Sequence, residues 1–465
     1  MKTKHAFPRK LDEQELELKI AQFAQRVGEL FNAQIVNDIA RQTNFVERES
    51  KLTGHLFLTV FTFGVSIYGT PSLNDLVGLL NMVAPHVDIE RQSLHERIDE
   101  SAVAFFEKML SLAIAVELPQ CLSEAMAAMG SCFKRVILFD STSFQLPPEL
   151  AKYFRGSGGG ASEAAIKILF GYDLQSGEFF YLLQEGIVHD NFSQNHFHQQ
   201  MQPGDLEISD LGFFNIRAFA DIDERGAYYL SRLRADVKLY LYPNDQLEEF
   251  DVARFAQSLT QERAEIQAYL KAGNVLTKTN LIVERVPEQV KAARLRKQNR
   301  VNRKKGHTTR KRVRMLAGFN LYITNAPAAK IPRRKIRLLY GLRWQIELIF
   351  KSWKSNFALS EVRGKRPARI KCLIYAKLLW IFITTKIIHT VRDWVWVQQQ
   401  QEVSGFQAAK YLNTIAHQLL VAIIQQPRKL SKLLVHAMTF IKEHCIKSRT
   451  RKRVHPLELL QELGP

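Results

Sequence analysis

A series of short apolar segments between residues 134 and 234 constrains the fold of this chain more than any other feature. The first segment, Arg135–Phe139, is a continuous apolar run, which is typical of a strand buried on both faces of a sheet. Two further strands are predicted at Ala165–Asp173 and Glu178–Gly186, with a polar turn at Gln175-Ser176-Gly177 between them. The first three strands are therefore expected to pair as a meander.

The second half of this region alternates strands with helices. The predicted elements are a short polar helix near Asn195–Gln202, a strand at Leu206–Ser209, a helix that Asn215 caps and that runs to Asp223, and a strand at Ala227–Arg234. Three strands followed by helix, strand, helix and strand is the order of the RNase H-like α/β fold. We therefore predict a catalytic core of this fold class, whose first part spans residues 131–234.

Two of the predicted strands are followed directly by an aspartate, Asp140 after the first and Asp210 after the fourth. Sites in α/β proteins tend to form at this edge of the sheet. A carboxylate at a buried strand end is costly unless a positive charge compensates it, and a metal ion would do so. We interpret both residues as candidate metal ligands, whereas turns and polar helix faces explain the other acidic residues of this region, namely Asp173, Asp190, Asp221, Asp223 and Glu224.

The stretch Tyr340–Lys354, which reads YGLRWQIELIFKSWK, is predicted to form one amphipathic helix. At about 100° per residue, its polar side chains share an arc of roughly 80°, and they are Tyr340, Arg343, Glu347, Lys351 and Lys354. The neighbouring arc is apolar and is expected to pack into a core. A carboxylate flanked by cations suits phosphodiester chemistry. The alternative is a solvated ion-pair face of little energetic value.

The net charge is +19, from 65 Lys and Arg against 46 Asp and Glu, and it argues for a polyanionic partner such as nucleic acid. The densest basic run, Lys291–Arg314, contains 12 Lys and Arg and no Asp or Glu. We predict that it contacts DNA, with a solvated loop as the alternative. The run lies in residues 235–330, a predicted β-rich insertion, and its candidate DNA contacts are Lys304, Lys305, Arg310 and Lys311.

Both ends of the chain are predicted to be helical. In residues 1–130, a turn at Ala84-Pro85-His86 separates helices predicted at Leu73–Leu80 and Glu90–Leu112. This pair is either a helix-turn-helix that reads DNA or part of a plain helical bundle, and we predict DNA binding for the region. Residues 331–400 are expected to complete the catalytic core, and residues 401–465 to form a helical region that is a candidate for dimerisation.

The sequence favours the cytoplasm over a membrane. The first residues do not resemble a signal peptide, and the most apolar run, Ile374–Ile388, is interrupted by Lys377 and Lys386. The four cysteines form no CxxC pair, which fits a reducing compartment and argues against a structural zinc site; they are Cys121, Cys132, Cys372 and Cys445.

Taken together, these motifs resemble those of bacterial insertion-sequence transposases of the DDE class, and specifically of the insertion-sequence-four family. The family signature is Tyr-x2-Arg-x3-Glu-x6-Lys, and every spacing is kept by Tyr340, Arg343, Glu347 and Lys354. The blocks VILFDST and ISDLGFF, and the β-rich insertion before the glutamate helix, also resemble the corresponding family segments.

The resemblance implies an enzyme that binds the terminal inverted repeats of its element, cleaves the DNA ends by metal-dependent hydrolysis and joins the 3′-OH ends to target DNA. It implies two Mg²⁺ or Mn²⁺ ions per active site, with Asp140 bridging both and Asp210 and Glu347 each holding one. Arg343 and Lys354 are expected to hold phosphates, and Tyr340 a phosphate or the terminal bases. The implied partners are double-stranded DNA and, in the synaptic complex, a second copy of the chain, in a bacterial cytoplasm at the nucleoid.

Two other interpretations stay open at the level of sequence. The first is a sequence-specific DNA-binding protein that has lost catalysis, because the charge and the helical N-terminal region explain binding without chemistry. The second is an RNase H-like nuclease that cuts DNA without strand transfer. Cleavage and strand-transfer assays distinguish these interpretations from a transposase.

Overall fold

A computed structural model of the chain describes residues 13–48, 50–116, 132–158, 162–190, 197–242, 246–306, 308, 311–448 and 456–461. The fold is mixed α/β, and its centre is one sheet of ten strands. In chain order the strands are β1 (Val136–Gln145), β2 (Ala165–Asp173), β3 (Phe179–Glu185), β4 (Leu206–Ser209), β5 (Tyr228–Arg232), β6 (Leu239–Leu241), β7 (Glu248–Phe250), β8 (Arg263–Ala272), β9 (Val275–Arg285) and β10 (Phe319–Thr324).

The strands are arranged in the order β3-β2-β1-β4-β5-β10-β9-β8-β6-β7. β1 pairs in parallel with β4, and β4 pairs in parallel with β5. The other neighbours are antiparallel. The strands predicted within residues 235–330 therefore extend the same sheet instead of forming a separate one.

Helices of the N-terminal and C-terminal parts of the chain cover one face of this sheet. The N-terminal helices are α1 (Glu13–Glu29), α2 (Ala33–Gln42), α3 (Gly54–Tyr68), α4 (Leu73–Val83), α5 (Arg91–Glu96) and α6 (Glu100–Ala115). The later helices are α7 (Ile216–Glu224), α8 (Val252–Ser258), α9 (Glu288–Lys305), α10 (Lys311–Leu316), α11 (Ile336–Gly341), α12 (Trp344–Asn356), α13 (Pro367–Gln399), α14 (Gly405–Thr414), α15 (Ala416–Gln425), α16 (Pro427–His444) and α17 (Pro456–Gln461).

The sheet separates two apolar clusters because successive strand residues point to opposite faces. Val136 and Leu138 of β1 pack with the helices of both chain ends, whereas Ile137 and Phe139 pack with α7 and α8. β1 is thus buried on both faces, as its continuous apolar sequence predicts.

Several predicted elements are confirmed. β2 and β4 have the predicted bounds, and α7 begins after Asn215, whose side chain accepts hydrogen bonds from two backbone N–H groups of the first turn. Ser72 caps α4 through a capping box with Asp75. Local signals were sufficient here because each element is bounded by its own turn or cap.

The predicted end of the first strand is wrong. β1 continues through Asp140 to Gln145, where it pairs with β2 alone, and its parallel pairing with β4 ends at Phe139 opposite Ser209. Asp140 is therefore a residue in the middle of a strand. It still lies at the carboxyl-terminal edge of the parallel strands, because the short β4 ends beside it.

Two predicted helices are each divided. Glu90–Leu112 is wrong as a single helix, because Asp99 accepts hydrogen bonds from two backbone N–H groups and starts α6 as a new helix. The helix predicted after Ala84-Pro85-His86 is therefore the six-residue α5. DNA reading by this region stays a prediction. At the other end, the apolar sequence of Gln407–Ile424 also predicts one helix, and the structure divides it into α14 and α15.

The basic run Lys291–Arg314 is largely helical, so the interpretation as a loop is wrong. Its first part belongs to α9, which has 18 residues, and its last part to α10. The segment 235–330 accordingly contains helix as well as strand. The side chain of Lys305 and the whole of Arg310 lie outside the described residues.

The most apolar helix, α13, belongs to the core. Within the described part of the chain it is the one helix with the length and hydropathy of a membrane span, and 89% of its apolar window is buried inside the protein. α3 and α4 reach that hydropathy only as a pair, and they are bent by 118° relative to each other. Burial of this kind is typical of the core helix of a globular protein.

Candidate active site

The site forms where β1 runs past the end of β4. Asp140 follows the last parallel pair, Phe139 opposite Ser209, so the next residues of the two strands, Asp140 and Asp210, are neighbours. Asp210 starts a short 3-10 turn, and its Oδ1 accepts a hydrogen bond of 2.5 Å from the backbone N–H of Gly212. The backbone N–H of Ser141 donates to Oδ1 of Asp140 at 2.8 Å. Both carboxylates are thus held by backbone amides.

The glutamate of the site is supplied by the Tyr340–Lys354 stretch, which is not the single helix predicted. α11 ends at Gly341 and α12 begins at Trp344. Between them the chain makes tighter, 3-10-type hydrogen bonds, from Leu342 N–H to Leu339 O at 3.0 Å and from Arg343 N–H to Tyr340 O at 3.2 Å.

The apolar side of this stretch is buried as predicted. Ile346, Phe350 and Trp353 are buried on α12, and the rings of Trp353 and Phe170 of β2 lie 4.6 Å apart between centroids. This packing places α12 across the sheet, with its polar side towards β1. Trp344, in contrast, is 52% exposed.

Arg343 joins two of the three predicted carboxylates. Its guanidinium donates to Oε1 of Glu347 at 2.6 Å and lies 3.8 Å from Oδ2 of Asp140. The side chains of Arg343 and Glu347 retain 19% and 31% of their exposure, so their ion pair is partly buried and differs from the fully solvated pair of the alternative interpretation. Arg343 therefore acts as the positive charge that the paired carboxylates need.

The three carboxylates repel one another, and Asp140 shows it most clearly. Burial raises the pKa of Asp140 to about 6, with further contributions from the charges of Asp210 and Glu347. The N–H of Ser141 and the charge of Arg343 act in the opposite direction. An excess of buried negative charge of this kind is stabilised by a cation.

The donor set fits a hard divalent cation. Carboxylate oxygens are the preferred protein ligands of Mg²⁺ and Mn²⁺. The described residues contain no group of three His, Cys, Asp or Glu side chains already closed around a metal position. This agrees with the position of Arg343, whose guanidinium lies between Asp140 and Glu347.

An open cleft of about 600 Å³ leads to these carboxylates. Asp140 and Glu347 line it together with Lys351 and Lys354 of α12. Lys354 of the signature thus lines the same cleft as Glu347. Lys351, which is not part of the signature, lines it as well.

Tyr340 belongs to a different cavity, of about 220 Å³. Its ring lies 5.5 Å from that of Tyr322 between centroids. Three arginines from separate elements line this cavity, which we call the arginine pocket, and they are Arg232, Arg294 and Arg337. Arg232 and Arg337 were not identified from the sequence, although Arg232 is a polar residue at the end of an apolar strand, as the two aspartates are.

The arginine pocket carries uncompensated positive charge. Within the described chain, none of its three arginines forms an ion pair with a carboxylate. Arg294 donates to the backbone oxygen of Phe319 at 2.9 Å and to Oδ1 of Asn320 at 2.5 Å, which fixes α9 against β10. Burial and then the charges of Arg232 and Arg337 lower the pKa of Arg294.

The basic residues of the insertion are presented by helices. Lys304 and Lys311 are exposed, the first near the end of α9 and the second at the start of α10. Arg294 anchors the earlier part of α9 to β10, whereas Lys304 near its end is exposed to solvent.

Asp190 is a further residue at the site whose position the sequence did not reveal. It was interpreted as a residue with an ordinary structural role, yet it accepts a hydrogen bond from Ser141, directly after Asp140. Its position depends on the turn after β3, which brings it back to β1, and no local sequence signal announces such a contact.

Comparisons with known proteins agree with this geometry. The family described as "Transposase DDE domain" matches residues 131–383. The chain is 30% identical over 448 residues to the transposase for insertion sequence element IS231B of Bacillus thuringiensis subsp. berliner, covering 93% of each chain. It is 29% identical to the IS231E transposase of B. thuringiensis subsp. finitimus, covering 94% of each. It is 27% identical to the IS1151 transposase of Clostridium perfringens, covering 95% of this chain and 96% of that one.

Proposed function

Since the chain belongs to the family of transposases with a DDE domain, we propose that it moves its own insertion sequence by a cut-and-paste reaction. The protein is an insertion-sequence transposase and an enzyme. In the proposed reaction it binds the terminal inverted repeats, hydrolyses the DNA ends and joins the released 3′-OH ends to target DNA. The observation that carries this proposal is the meeting of Asp140, Asp210 and the Arg343–Glu347 pair at one sheet edge.

The fold supports an RNase H-like core. The order β3-β2-β1-β4-β5, in which β2 alone runs antiparallel to the other four strands, is the strand arrangement of that class. We assign residues 131–234 and 331–400 to the core and residues 235–330 to the insertion. Residues 1–130 are proposed to bind DNA, and residues 401–465 to contribute to dimerisation.

Asp140, Asp210 and Glu347 would hold the divalent cations, which we propose to be two Mg²⁺ or Mn²⁺ ions. When bound, such ions activate water and neutralise charge that develops on the phosphate. The backbone amides of Ser141 and Gly212 keep two of the carboxylates oriented towards that position. Arg343 now provides the countercharge of Asp140 and Glu347, and with a cation bound there its guanidinium would be available to a DNA phosphate.

The chemical steps are two phosphoryl transfers. In the first, water attacks a phosphodiester at the end of the element, the P–O3′ bond breaks and a 3′-OH is released. In the second, this 3′-OH attacks a phosphodiester of the target, forms a new P–O bond and releases a target 3′-OH. No oxidation or cofactor-derived group enters either step.

The DNA would cross from the cleft to the arginine pocket. Lys354 and Lys351 line the cleft and are placed to contact phosphates on the Glu347 side. Tyr340 lines the arginine pocket and its side chain hydrogen-bonds to Arg343, so the pocket offers a second place for backbone phosphate near the site. Lys304 and Lys311, with Lys305 and Arg310, are proposed to contact DNA farther from the scissile bond. We place this reaction in the bacterial cytoplasm at the nucleoid, and in a homodimer that holds both ends.

The test is a reaction of the purified full-length protein with linear DNA that carries the element ends, a target plasmid and Mg²⁺. We expect cleavage at the ends and joined products, and we expect neither with Asp140→Ala, although that variant still binds the DNA. A matched control is Glu249→Ala, which removes an exposed carboxylate of β7 that pairs with Lys238, at the edge of the sheet far from β1.

Each remaining outcome of this reaction contradicts the proposal in a distinct way. Binding without cleavage by the wild-type protein would indicate a DNA-binding protein without catalysis. Cleavage without joined products would indicate a nuclease. Unchanged metal-dependent cleavage by Asp140→Ala would overturn the assignment of the site.

A further inference from the structure

A second cation–carboxylate pair lies on the face of β1 opposite to Arg343. Asp140 and Ser141 are successive strand residues, so their side chains point to opposite faces of the sheet. Oδ2 of Asp190 accepts a hydrogen bond of 3.0 Å from the hydroxyl of Ser141. Oδ1 of Asp190 lies 3.1 Å from Nζ of Lys167 on β2, as an ion pair. The cluster Ser141–Asp190–Lys167 therefore borders the site from behind.

Asp190 also lies beside the turn that follows Asp210. A Cβ built on Gly212 would be 2.9 Å from Oδ1 of Asp210 and 3.7 Å from Oδ2 of Asp190. The same oxygen of Asp190 that binds Ser141 thus faces the turn that holds Asp210. Asp190 contacts the strand of one predicted metal ligand and packs against the turn of another.

The charge of Asp190 is compensated by a residue of the protein itself, because Lys167 forms an ion pair with it. One oxygen is committed to Lys167 and the other to Ser141. Lys167 keeps only 14% of its side-chain exposure, and its Nζ also donates to the backbone oxygen of Val188 at 2.6 Å. Lys167 therefore neutralises Asp190 locally, which allows a further carboxylate to lie next to three others.

β1 needs such a support at this position. From Asp140 onwards it has lost β4 as a partner and is paired with β2 alone. A strand held on one side can shift, and a shift of Asp140 relative to Asp210 changes the spacing of metal ligands. Groups that orient metal ligands from behind affect metal affinity by about 10–100-fold when they are removed.

We propose that Asp190, supported by Lys167 and bound to Ser141, is a positioning residue that fixes the spacing between Asp140 and Asp210 and thereby the affinity of the site for divalent cations. This inference rests on the proposed metal-dependent function. It assigns Asp190 a role in arranging the ligands and none in contacting DNA.

The test compares the full-length wild type with Asp190→Asn, each bound to end-bearing DNA. We expect the Mg²⁺ concentration for half-maximal cleavage to rise by at least about tenfold in the variant. Mn²⁺ binding to the same complexes, followed by electron paramagnetic resonance, is expected to weaken by a similar factor. DNA affinity in the absence of metal should stay within about twofold, because Asp190 faces away from the cleft and a purely structural defect would change DNA affinity as well.

Two further variants make the result specific. Ser141→Ala removes the hydrogen bond to Asp190 but leaves the ion pair with Lys167, and should shift the metal dependence in the same direction by a smaller factor. Glu185→Gln is the matched control, because it removes a carboxylate of β3 that pairs with Arg155 at 2.9 Å, away from the site. It should leave the metal dependence unchanged.

Unchanged Mg²⁺ dependence and Mn²⁺ binding in a folded Asp190→Asn variant would overturn the inference. If that variant does not fold, Ser141→Ala decides, and an unchanged metal dependence there has the same meaning. If the wild type binds Mn²⁺ but does not cut the DNA ends, the proposed function fails. The Mn²⁺ affinities of the variants still test the role of Asp190 in that case.

Discussion

Two charged regions lie close to the α11–α12 junction, namely the carboxylate site and the arginine pocket. Each contains an excess of one charge, negative in the site and positive in the pocket. Asp140, Asp210 and Glu347 have Arg343 as a countercharge, and the pKa of Asp140 is still raised, first by burial and then by the charges of the other two carboxylates. The arginine pocket, which Tyr340 lines, contains three arginines, and none of them is paired with a carboxylate of the described chain. One region lacks cations and the other lacks anions, as expected for a surface that is completed by metal ions and by DNA phosphates together.

The largest effect on DNA cleavage is expected when a carboxylate of the site is removed and the arginine pocket is left unchanged. Glu347→Gln removes a proposed metal ligand and the ion-pair partner of Arg343, which would then be available to phosphate. We expect DNA cleavage to fall by on the order of a thousandfold or more, while DNA affinity stays equal or increases. Cleavage assays and electrophoretic mobility shifts measure the two effects, and a parallel loss of binding would contradict this separation of roles.

The next effect concerns the basic helices of the insertion. Neutralising Lys304, Lys305, Arg310 and Lys311 together should weaken DNA binding by about 10–100-fold and flatten its dependence on salt. The control neutralises three exposed cations of α16, namely Arg428, Lys429 and Lys432. If the salt slope of the insertion variant equals that of the wild type, this run is only a solvated surface.

The arginine pocket should show a smaller change of the same kind. Replacing Arg337 by Gln removes one cation without a carboxylate partner, so we expect the salt slope to decrease by about one ion and the affinity by several-fold to tenfold. Arg334→Gln is a matched control, since Arg334 is exposed in the preceding turn and does not line the pocket. Equal effects of both substitutions would mean that the pocket has no specific role.

The smallest effect that we expect is that of Asp140→Asn on the free energy of unfolding of the metal-free protein. The pKa of Asp140 is raised to about 6, so the folded state binds this proton more tightly than the unfolded state. Its stabilising contribution is present below pH 4 and lost as pH rises through about 6, with an upper limit of about 3 kcal/mol. Asp140→Asn should therefore stabilise the metal-free protein by about 1–2 kcal/mol at pH 8 and hardly at pH 4.

Urea unfolding at the two pH values measures this difference. Adding Mg²⁺ at pH 8 should stabilise the wild type and leave Asp140→Asn nearly unchanged, because only the wild type has the full ligand set. If Asp140→Asn instead destabilises the metal-free protein at pH 8, the ionised carboxylate of Asp140 does not lower the free energy of unfolding, and the prediction is wrong.

The sequence singled out Asp140, Asp210 and Glu347 through local patterns, namely polar residues after apolar strands and a spaced signature. The structure brings the three residues together, and their role as metal ligands stays a prediction. The end of β1 was misplaced because Asp140-Ser141-Thr142 is polar, whereas pairing with β2 extends the strand to Gln145. That pairing depends on a partner more than twenty residues away in the chain.

The positions of the basic side chains around the site could not be predicted from the sequence either. The 3-10 turn at Leu342 and Arg343 follows from packing of α12 on the sheet, and it turns Arg343 towards Asp140. Asp190 and Arg337 reach their sites through tertiary contacts that no spacing encodes. The pairing of charged side chains from distant segments of the chain is therefore the feature of this site that only the structure reveals.

The short length of β4 has a consequence for how such a site can be lost. A longer β4 would take up the outward N–H of Ser141 that now holds the Asp140 carboxylate. That donor is a backbone group, so almost any side chain at position 141 preserves it and only proline removes it. This backbone hydrogen bond is thus preserved by most substitutions at position 141, but it is sensitive to changes that lengthen a neighbouring strand.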